Sequence, residues 1–246
     1  MLGFDMKKLL VWVLILFIGC GQKSPYQFES EVVVFSLFIA GRPNPTVKLE
    51  RSWEIDKQLP DGGLAVNNAE VSVITEGDTI KYALIEDKSG IYEPLDSLIA
   101  YPLKTYHLEI TVPEEDKIYG ETTVPDTFSI IQPAEGDTLD KSGQLPPIIW
   151  GSSQNAKGYL VDISSRVATT HVIGIMSAVD TVLPLLSFFL GDSGKQIMKI
   201  VALDGNYYDY YMESLYQSGT ESTNHIQNGI GVFGSCVVES VQVYVK

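Results

Sequence analysis

The feature that most constrains this chain is an alternation of apolar and polar residues with a period of two. In TYHLEITV (residues 105–112), every second residue from Tyr106 to Val112 is apolar. Successive side chains of a β-strand point to opposite faces, so such a run buries one face and exposes the other. The runs AEVSVIT (69–75) and IKYALIED (80–87) alternate in the same way and flank the turn sequence EGDT. This pattern predicts antiparallel hairpins assembled into a β-sandwich.

The predicted strands form two groups, with a boundary at Pro125–Asp126. The first group, residues 31–125, opens with EVVVFSLFIAG (31–41), a continuous apolar run long enough for a strand buried on both faces. The second group, residues 126–246, includes a strand that ends at Trp150, then a polar loop and an alternating strand. That order resembles the start of a fibronectin type III domain. We therefore predict an all-β chain of two consecutive β-sandwich domains, an Ig-like domain followed by a fibronectin III-like domain.

One segment has the periodicity of a helix rather than that of a strand. In DGNYYDYYMESLYQ (204–217), aromatic and apolar residues recur four positions apart, which places them on one helical face. We predict a short helix near residues 206–217, with either Asp204 or Asn206 as its N-cap.

Four tyrosines of this helix form a candidate ligand surface, because a tyrosine ring packs against a ligand while its hydroxyl bonds to it. They are Tyr207, Tyr208, Tyr210 and Tyr211. The alternative is that the rings lie in a core seam between the helix and the sandwich. A cluster exposed as an aromatic patch would favour a surface adhesin.

The N-terminus has the three regions of a secretory signal peptide. Lys7 and Lys8 provide the positive region, and the ten residues from Leu9 to Ile18 are all apolar. A transmembrane helix needs about 18 or more apolar residues, so this run is too short to be one. We predict that residues 1–19 are a signal peptide.

The cleavage region Phe17–Cys20 resembles a bacterial lipobox, in which the cysteine is lipidated and becomes the first residue of the mature protein. Phe17 stands where the motif usually has leucine. Each buried methylene of an acyl chain such as palmitate contributes about 0.8 kcal/mol, so several chains anchor a protein stably. Cys20 is therefore the predicted lipidation site, and residues 20–30 are predicted to be a polar tether.

Charge and residue counts argue against several other classes of protein. The formal net charge is −14, which repels nucleic acid and anionic membrane surfaces. The three histidines have no second His or Cys at zinc-ligand spacing, and the sequence contains no EF-hand loop. With Cys20 acylated, Cys236 is expected to be a small buried residue. We expect no metal, no cofactor and no nucleic-acid partner.

Two short strings match enzyme motifs without the context that those motifs require. GIGVFG (229–234) fits the pattern of a dinucleotide site, but the 12 residues that follow it read as a strand and not a helix. Its glycines are expected to serve turns or bulges. GDSG (191–194) resembles the nucleophile loop of chymotrypsin-like proteases, but Lys195 replaces the usual next glycine and His107 is predicted to face outward. We interpret GDSG as a turn and identify no catalytic residue.

The order of motifs is similar to that of a family of bacterial envelope lipoproteins known as domain of unknown function 4249. After the lipobox, the motifs are VNNAEVSVITEGDTIKYALIEDKSGIYEP, KTYHLEITVPEEDKIYGETTVP, ALDGNYYDYY and NGIGVFGS. The first sandwich also resembles a carboxypeptidase regulatory-like, transthyretin-like domain. The resemblance implies an outer-membrane lipoprotein that works with a membrane transporter or receptor, and it implies no catalytic residues.

These observations favour a lipid-anchored, non-enzymatic binding or scaffolding protein of the cell envelope. Its expected partners are the membrane, through the lipid on Cys20, and an outer-membrane protein. The competing hypothesis is an envelope hydrolase that acts on glycan or peptide, and a glycosidase requires two carboxyl groups within about 10 Å across a cleft. A surface adhesin is the third hypothesis.

Overall fold

The computed structural model describes residues 28–86, 88–165, 171–177, 179–216 and 224–246. The predicted signal peptide, Cys20 and the first part of the predicted tether lie outside the described residues.

The described chain consists mainly of β-strands, which confirms the predicted all-β class. The strands of its first part are β1 Val32–Ile39, β2 Val47–Arg51, β3 Glu70–Thr75, β4 Asp78–Leu84, β5 Ile91–Pro94, β6 Thr105–Thr111 and β7 Ile118–Thr123. They are followed by β8 Ile130–Gln132, β9 Thr138–Leu139, β10 Ile148–Trp150, β11 Gly158–Ser165, β12 His171–Ser177, β13 Val182–Leu183, β14 Gly194–Leu203, β15 Ile226–Gln227 and β16 Ile230–Val245. A 3-10 turn spans Ser187–Phe189, and the helix α1 spans Gly205–Tyr216.

The strands assemble into one long curled sheet and one small sheet. The long sheet has the order β12-β11-β14-β16-β1-β2-β5-β4-β3-β6-β7-β15, and β9 pairs with β16 beside this path. The small sheet has the order β13-β10-β8. The predicted hairpin is present, since β3 and β4 pair from Val71 opposite Tyr82 to Thr75 opposite Asp78.

The period-two alternation places side chains as predicted in β6, where Tyr106, Leu108 and Ile110 are buried. The prediction for β1 is wrong in one respect, because this strand buries only one face. Val34 is fully buried, whereas Phe35 on the other face is 40 % exposed. The outer face of β1 meets α1 through an edge-on contact between the rings of Phe35 and Tyr210, whose centroids are 6.0 Å apart. The other outward residues of β1, which are Val33, Leu37 and Ile39, are half-buried.

The long strand β16 runs through both parts of the molecule. Its first half pairs in parallel with β1, from Val33 opposite Ile230 to Ile39 opposite Cys236. Its second half pairs antiparallel with β14, from Leu203 opposite Cys236 to Gly194 opposite Val245. Sixteen residues of strand extend over about 53 Å. One continuous strand therefore connects the two parts of the molecule.

The first part of the molecule takes strands from the C-terminal end of the chain. β15 pairs with β7, where Ile226 lies opposite Gly120, and the first half of β16 pairs with β1. Residues 226–236 thus hydrogen-bond to strands of the predicted domain 31–125. The division of the chain into domains 31–125 and 126–246 stays a prediction.

Gly231 lies where β16 passes close to β1, and only glycine fits there. Its φ is +115°, and a Cβ at this position would collide with the carbonyl oxygen of Val34. The string GIGVFG therefore belongs to a strand, and this glycine permits the close approach of two backbones.

We expect Gly231→Ala to lower the free energy of unfolding by roughly 2–5 kcal/mol, because it combines backbone strain with overpacking. Urea denaturation measures this change. Gly62→Ala is the matched control, since a Cβ added at Gly62 would meet no atom within 4 Å. That control should shift stability by less than about 1 kcal/mol. Equal effects of the two substitutions would contradict the close approach of β1 and β16.

Candidate functional site

The helix α1 is fastened to the sheet by a buried carboxylate at its N-terminus. Asp204 Oδ1 accepts a hydrogen bond from the backbone N–H of Tyr207 at 2.8 Å, which makes Asp204 the N-cap. Its Oδ2 accepts a hydrogen bond from Thr122 Oγ1 at 2.6 Å, and its backbone N–H donates to the carbonyl of Ser235 at 3.0 Å. The predicted helix is confirmed, and Asp204 is the cap of the two candidates.

Asn206, the other candidate cap, instead ties the helix to two strands. Its Nδ2 donates to the carbonyl oxygen of Glu121 in β7 at 2.5 Å and to that of Phe233 in β16 at 2.8 Å. The helix packs closely against β16 at this point. A Cβ added at Gly234 would lie only 2.9 Å from Cβ of Tyr207. The motifs ALDGNYYDYY, NGIGVFGS and KIYGETTVP therefore meet at one junction.

Burial shapes the chemistry of the ionisable groups at this junction. Desolvation raises the pKa of the Asp204 carboxyl, and hydrogen bonds from Thr122 and the Tyr207 N–H lower it in part. Burial also raises the pKa of the Cys236 thiol to about 12. Cys236 is 2 % exposed and carries a free thiol, so it is the small buried residue that was predicted. Asp204 and Cys236 are both buried and therefore have structural roles in the described part of the chain.

The candidate tyrosine surface lies on α1, and its rings pack partly against one another. Tyr207 stacks on Tyr210 at 6.5 Å and meets Tyr211 edge-on at 6.4 Å. Tyr210 is 38 % exposed, whereas Tyr207, Tyr208 and Tyr211 are half-buried. This arrangement has features of both the core seam and the ligand surface. A ligand-binding role for the four tyrosines stays a prediction.

A second surface, which we call the outer ledge, lies on the outward face of β4, β3, β6, β7 and β15. Strand register places its side chains in cross-strand rows. One row runs through Lys81, Ser72, Glu109, Tyr119 and Gln227. The neighbouring row runs through Thr79, Ile74, His107 and Glu121, and His225 lines the same groove just before β15.

The outer ledge contains two shallow concavities that share Glu109. One, of about 450 Å³, lies between His107, Tyr119 and His225, and the other, of about 510 Å³, lies over β3 and β4. Such volumes are within the range of ligand sites in proteins.

The charged side chains of the outer ledge are held in pairs. His107 Nδ1 lies 3.0 Å from Glu121 Oε2, and His225 Nε2 lies 3.0 Å from Asp209 Oδ2 of α1. Lys117 Nζ lies 4.0 Å from Glu109 Oε2. The outward orientation of His107 agrees with the alternation of its strand. The rows themselves were missed, because sequence parity assigns a face but does not say which strands are neighbours.

The remaining sequence motifs have structural roles. GDSG leads into β14, and its Asp192 carbonyl accepts a hydrogen bond from the Gln196 side chain at 3.0 Å, which agrees with a turn. Within the described ranges, no group of three or more His, Cys, Asp or Glu residues is arranged to hold a metal ion. None of the helices in the described part is long and apolar enough to cross a membrane.

Comparison with known proteins gives one family and several distant structural likenesses. The family model described as "Domain of unknown function (DUF4249)" matches residues 22–242, and no curated protein matches the chain. A two-domain fibronectin type III segment of chicken tenascin is 12 % identical with a TM-score of 0.24, over 72 % of this chain and 93 % of that one. The FN1–FN3 domains of chicken CNTN1 are 14 % identical with a TM-score of 0.27, over 87 % of this chain and 65 % of that one. Likenesses at these TM-scores carry no argument about function.

The raised pKa of Asp204 predicts how its contribution to stability depends on pH. The folded state holds this proton more tightly than the unfolded state, whose ordinary pKa is 3.8. The contribution of Asp204 is therefore largest below pH 3.8 and falls as pH rises through the folded pKa. We expect the free energy of unfolding of the native protein, minus that of Asp204→Asn, to decrease as the pH rises above 3.8.

Urea denaturation of both proteins at a series of pH values measures this difference, in which all other titrations cancel. The asparagine variant retains a side chain that caps helices but cannot ionise. A difference that increases with pH would show that the carboxylate is stabilised in its charged form.

Proposed function

The chain belongs to the DUF4249 family, and on that premise we propose that it is a lipid-anchored binding or scaffolding protein of the cell envelope, accessory to an outer-membrane transporter or receptor. The anchor is the lipidated Cys20, and the tether ends where β1 begins at Val32. The eleven residues of the tether, 20–30, reach at most about 40 Å, so the folded part stays close to the membrane.

The observation that carries this proposal is a run of exposed apolar side chains between β5 and β6. We call residues 95–103 the apolar segment. The exposed fractions are 63 % for Leu95, 41 % for Leu98, 39 % for Ile99, 53 % for Tyr101 and 44 % for Leu103. A concentration of large apolar side chains on a surface is typical of a protein-interaction site.

Backbone hydrogen bonds hold the apolar segment in place although its side chains are exposed. The N–H of Asn44 donates to the Leu98 carbonyl, and the N–H of Gly41 donates to the Ala100 carbonyl, both at 2.8 Å. The N–H of Leu103 donates to the Val124 carbonyl at 2.9 Å. Because the backbone is already ordered, binding a partner requires little further loss of conformational entropy.

The exposure of the carboxylates on the outer ledge favours binding over hydrolysis as the function of this surface. The side chains of Glu109 and Glu121 are 37 % and 65 % exposed, and each faces a basic partner. A glycosidase encloses its two carboxyl groups in a cleft around the scissile bond, whereas the outer ledge is a shallow open groove.

Replacing the lipidation site tests the anchor. We expect Cys20→Ser to move the protein from the membrane fraction to the soluble fraction, because no acyl chain is attached. Fractionation and immunoblotting of cells measure the distribution. Cys236→Ser is the matched control and should stay with the membrane. Retention of the Cys20→Ser protein in membranes would contradict a lipid anchor.

Replacing one apolar side chain tests the partner surface. We expect Leu95→Asp to abolish stoichiometric crosslinking to an outer-membrane protein, because a charge in an apolar contact must be desolvated without a partner. The control is Leu59→Asp, since Leu59 is 60 % exposed and lies on another loop. Mass spectrometry of crosslinked complexes from membranes measures recovery. Recovery of no envelope protein with the native chain, or equal recovery with both variants, would contradict this function.

A further inference from the structure

We propose that the outer ledge binds a neutral, hydroxyl-rich glycan chain in a groove that runs across β4, β3, β6, β7 and β15. This site goes beyond the partner surface and uses different residues. The shape of the outer ledge is that of an elongated groove, because the concavities of about 450 and 510 Å³ lie side by side and share Glu109. Five strands spaced about 4.8 Å apart span about 19 Å, so the groove suits an extended chain better than a compact metabolite.

The side chains along the groove alternate in hydrogen-bonding character. In one row, the Lys81 ammonium donates, the Glu109 carboxylate accepts, and Tyr119 and Gln227 do both. Strand register places these side chains opposite one another, so they follow each other at the distance between neighbouring strands. A sugar hydroxyl is also both a donor and an acceptor, so a chain of sugars matches such a row at every position.

Charge on the outer ledge favours a neutral ligand. Lys81 and Lys117 are outnumbered by the carboxylates Glu70, Glu109 and Glu121 of the outer ledge and by Asp209 of α1 beside it. The whole chain carries a formal net charge of −14. Anionic chains are therefore repelled, whereas hydroxyl groups bond to carboxylates without an electrostatic penalty.

Tyr119 provides the apolar part of the site. It is half-buried and lies in the row between Glu109 and Gln227. A tyrosine ring packs against the C–H face of a sugar while its hydroxyl remains available for a hydrogen bond.

An extended peptide fits this face less well than a glycan does. Peptides that bind sheets do so mainly by main-chain hydrogen bonds to an exposed strand edge. On the outer ledge, the backbone groups of β3 and β6 are committed to the neighbouring strands, and β7 pairs with β15 at Tyr119 and Gly120. Only side chains face the groove, and they are fixed in position by the sheet.

Binding to defined oligosaccharides tests the proposal. The soluble Cys20→Ser protein is titrated by calorimetry with neutral hexasaccharides of α-1,4-glucose, β-1,4-glucose, β-1,4-mannose, β-1,4-xylose and β-1,4-N-acetylglucosamine. We expect at least one hexasaccharide to bind, and its monosaccharide to bind at least about tenfold more weakly, because it contacts only part of the groove. We expect hexagalacturonate, which is anionic, not to bind.

Tyr119→Ala and Glu109→Gln should each weaken binding of that hexasaccharide about tenfold or more, as expected for loss of a ring contact or of a charged hydrogen-bond acceptor. Tyr244→Ala is the matched control, since Tyr244 is a 46 % exposed tyrosine of β16 outside the ledge. Melting temperatures verify folding, and Glu109→Gln keeps the test valid if the tyrosine variant fails to fold. Binding of no neutral hexasaccharide, preference for hexagalacturonate, or unchanged affinity in both ledge variants would each overturn the proposal.

Discussion

The parallel pairing of β1 with the first half of β16 is the contact on which the rest of the structure depends. It places Ile230 beside Val33 and carries the same strand onward to pair with β14. Because a strand is a stiff element, the two halves of β16 join the strands on its β1 side and those on its β14 side into one continuous sheet. The helix α1 then sits over this strand, where Asp204 and Asn206 bond to β7 and β16 together. Helix, first sandwich and second group of strands therefore share one junction.

Local patterns in the sequence predict local structure here, and distant pairings are beyond their reach. The alternation of Tyr106, Leu108 and Ile110 predicts β6 and its buried face because side-chain direction in a strand depends only on parity. The four-residue spacing in α1 and the capping role of Asp204 are equally local. The pairing of β1 with β16 joins residues 197 positions apart (230 − 33), and no local pattern encodes that choice. The outer ledge depends on the same kind of information, because Ser72 and Glu109 become neighbours only when β3 pairs with β6. Lipidation of Cys20 is the strongest prediction from the sequence, and it stays a prediction because Cys20 lies outside the described residues.

The two proposed binding surfaces differ in how they are built and are joined at one residue. The side chains of the outer ledge project from paired strands, so their spacing is set by the sheet. The apolar segment is a connection whose backbone is tied down at several points while its side chains remain exposed. Lys81 links the two, because its side chain lines the ledge and its carbonyl oxygen accepts a hydrogen bond from the Leu95 N–H at 2.8 Å. A ligand on one surface and a partner on the other would contact the same strand.

The pairing of β1 with β16 also has a consequence for how the chain matures. β1 must wait for a strand that lies 197 positions further along the chain, so its edge stays open until Ile230–Cys236 has been made. Contacts between residues this far apart form slowly, because a long loop must close before they give any stabilisation. An unpaired apolar strand edge is a template for aggregation during that interval. A chain that emerges in order from its N-terminus therefore leaves the edge of β1 exposed until residues 230–236 are available to cover it.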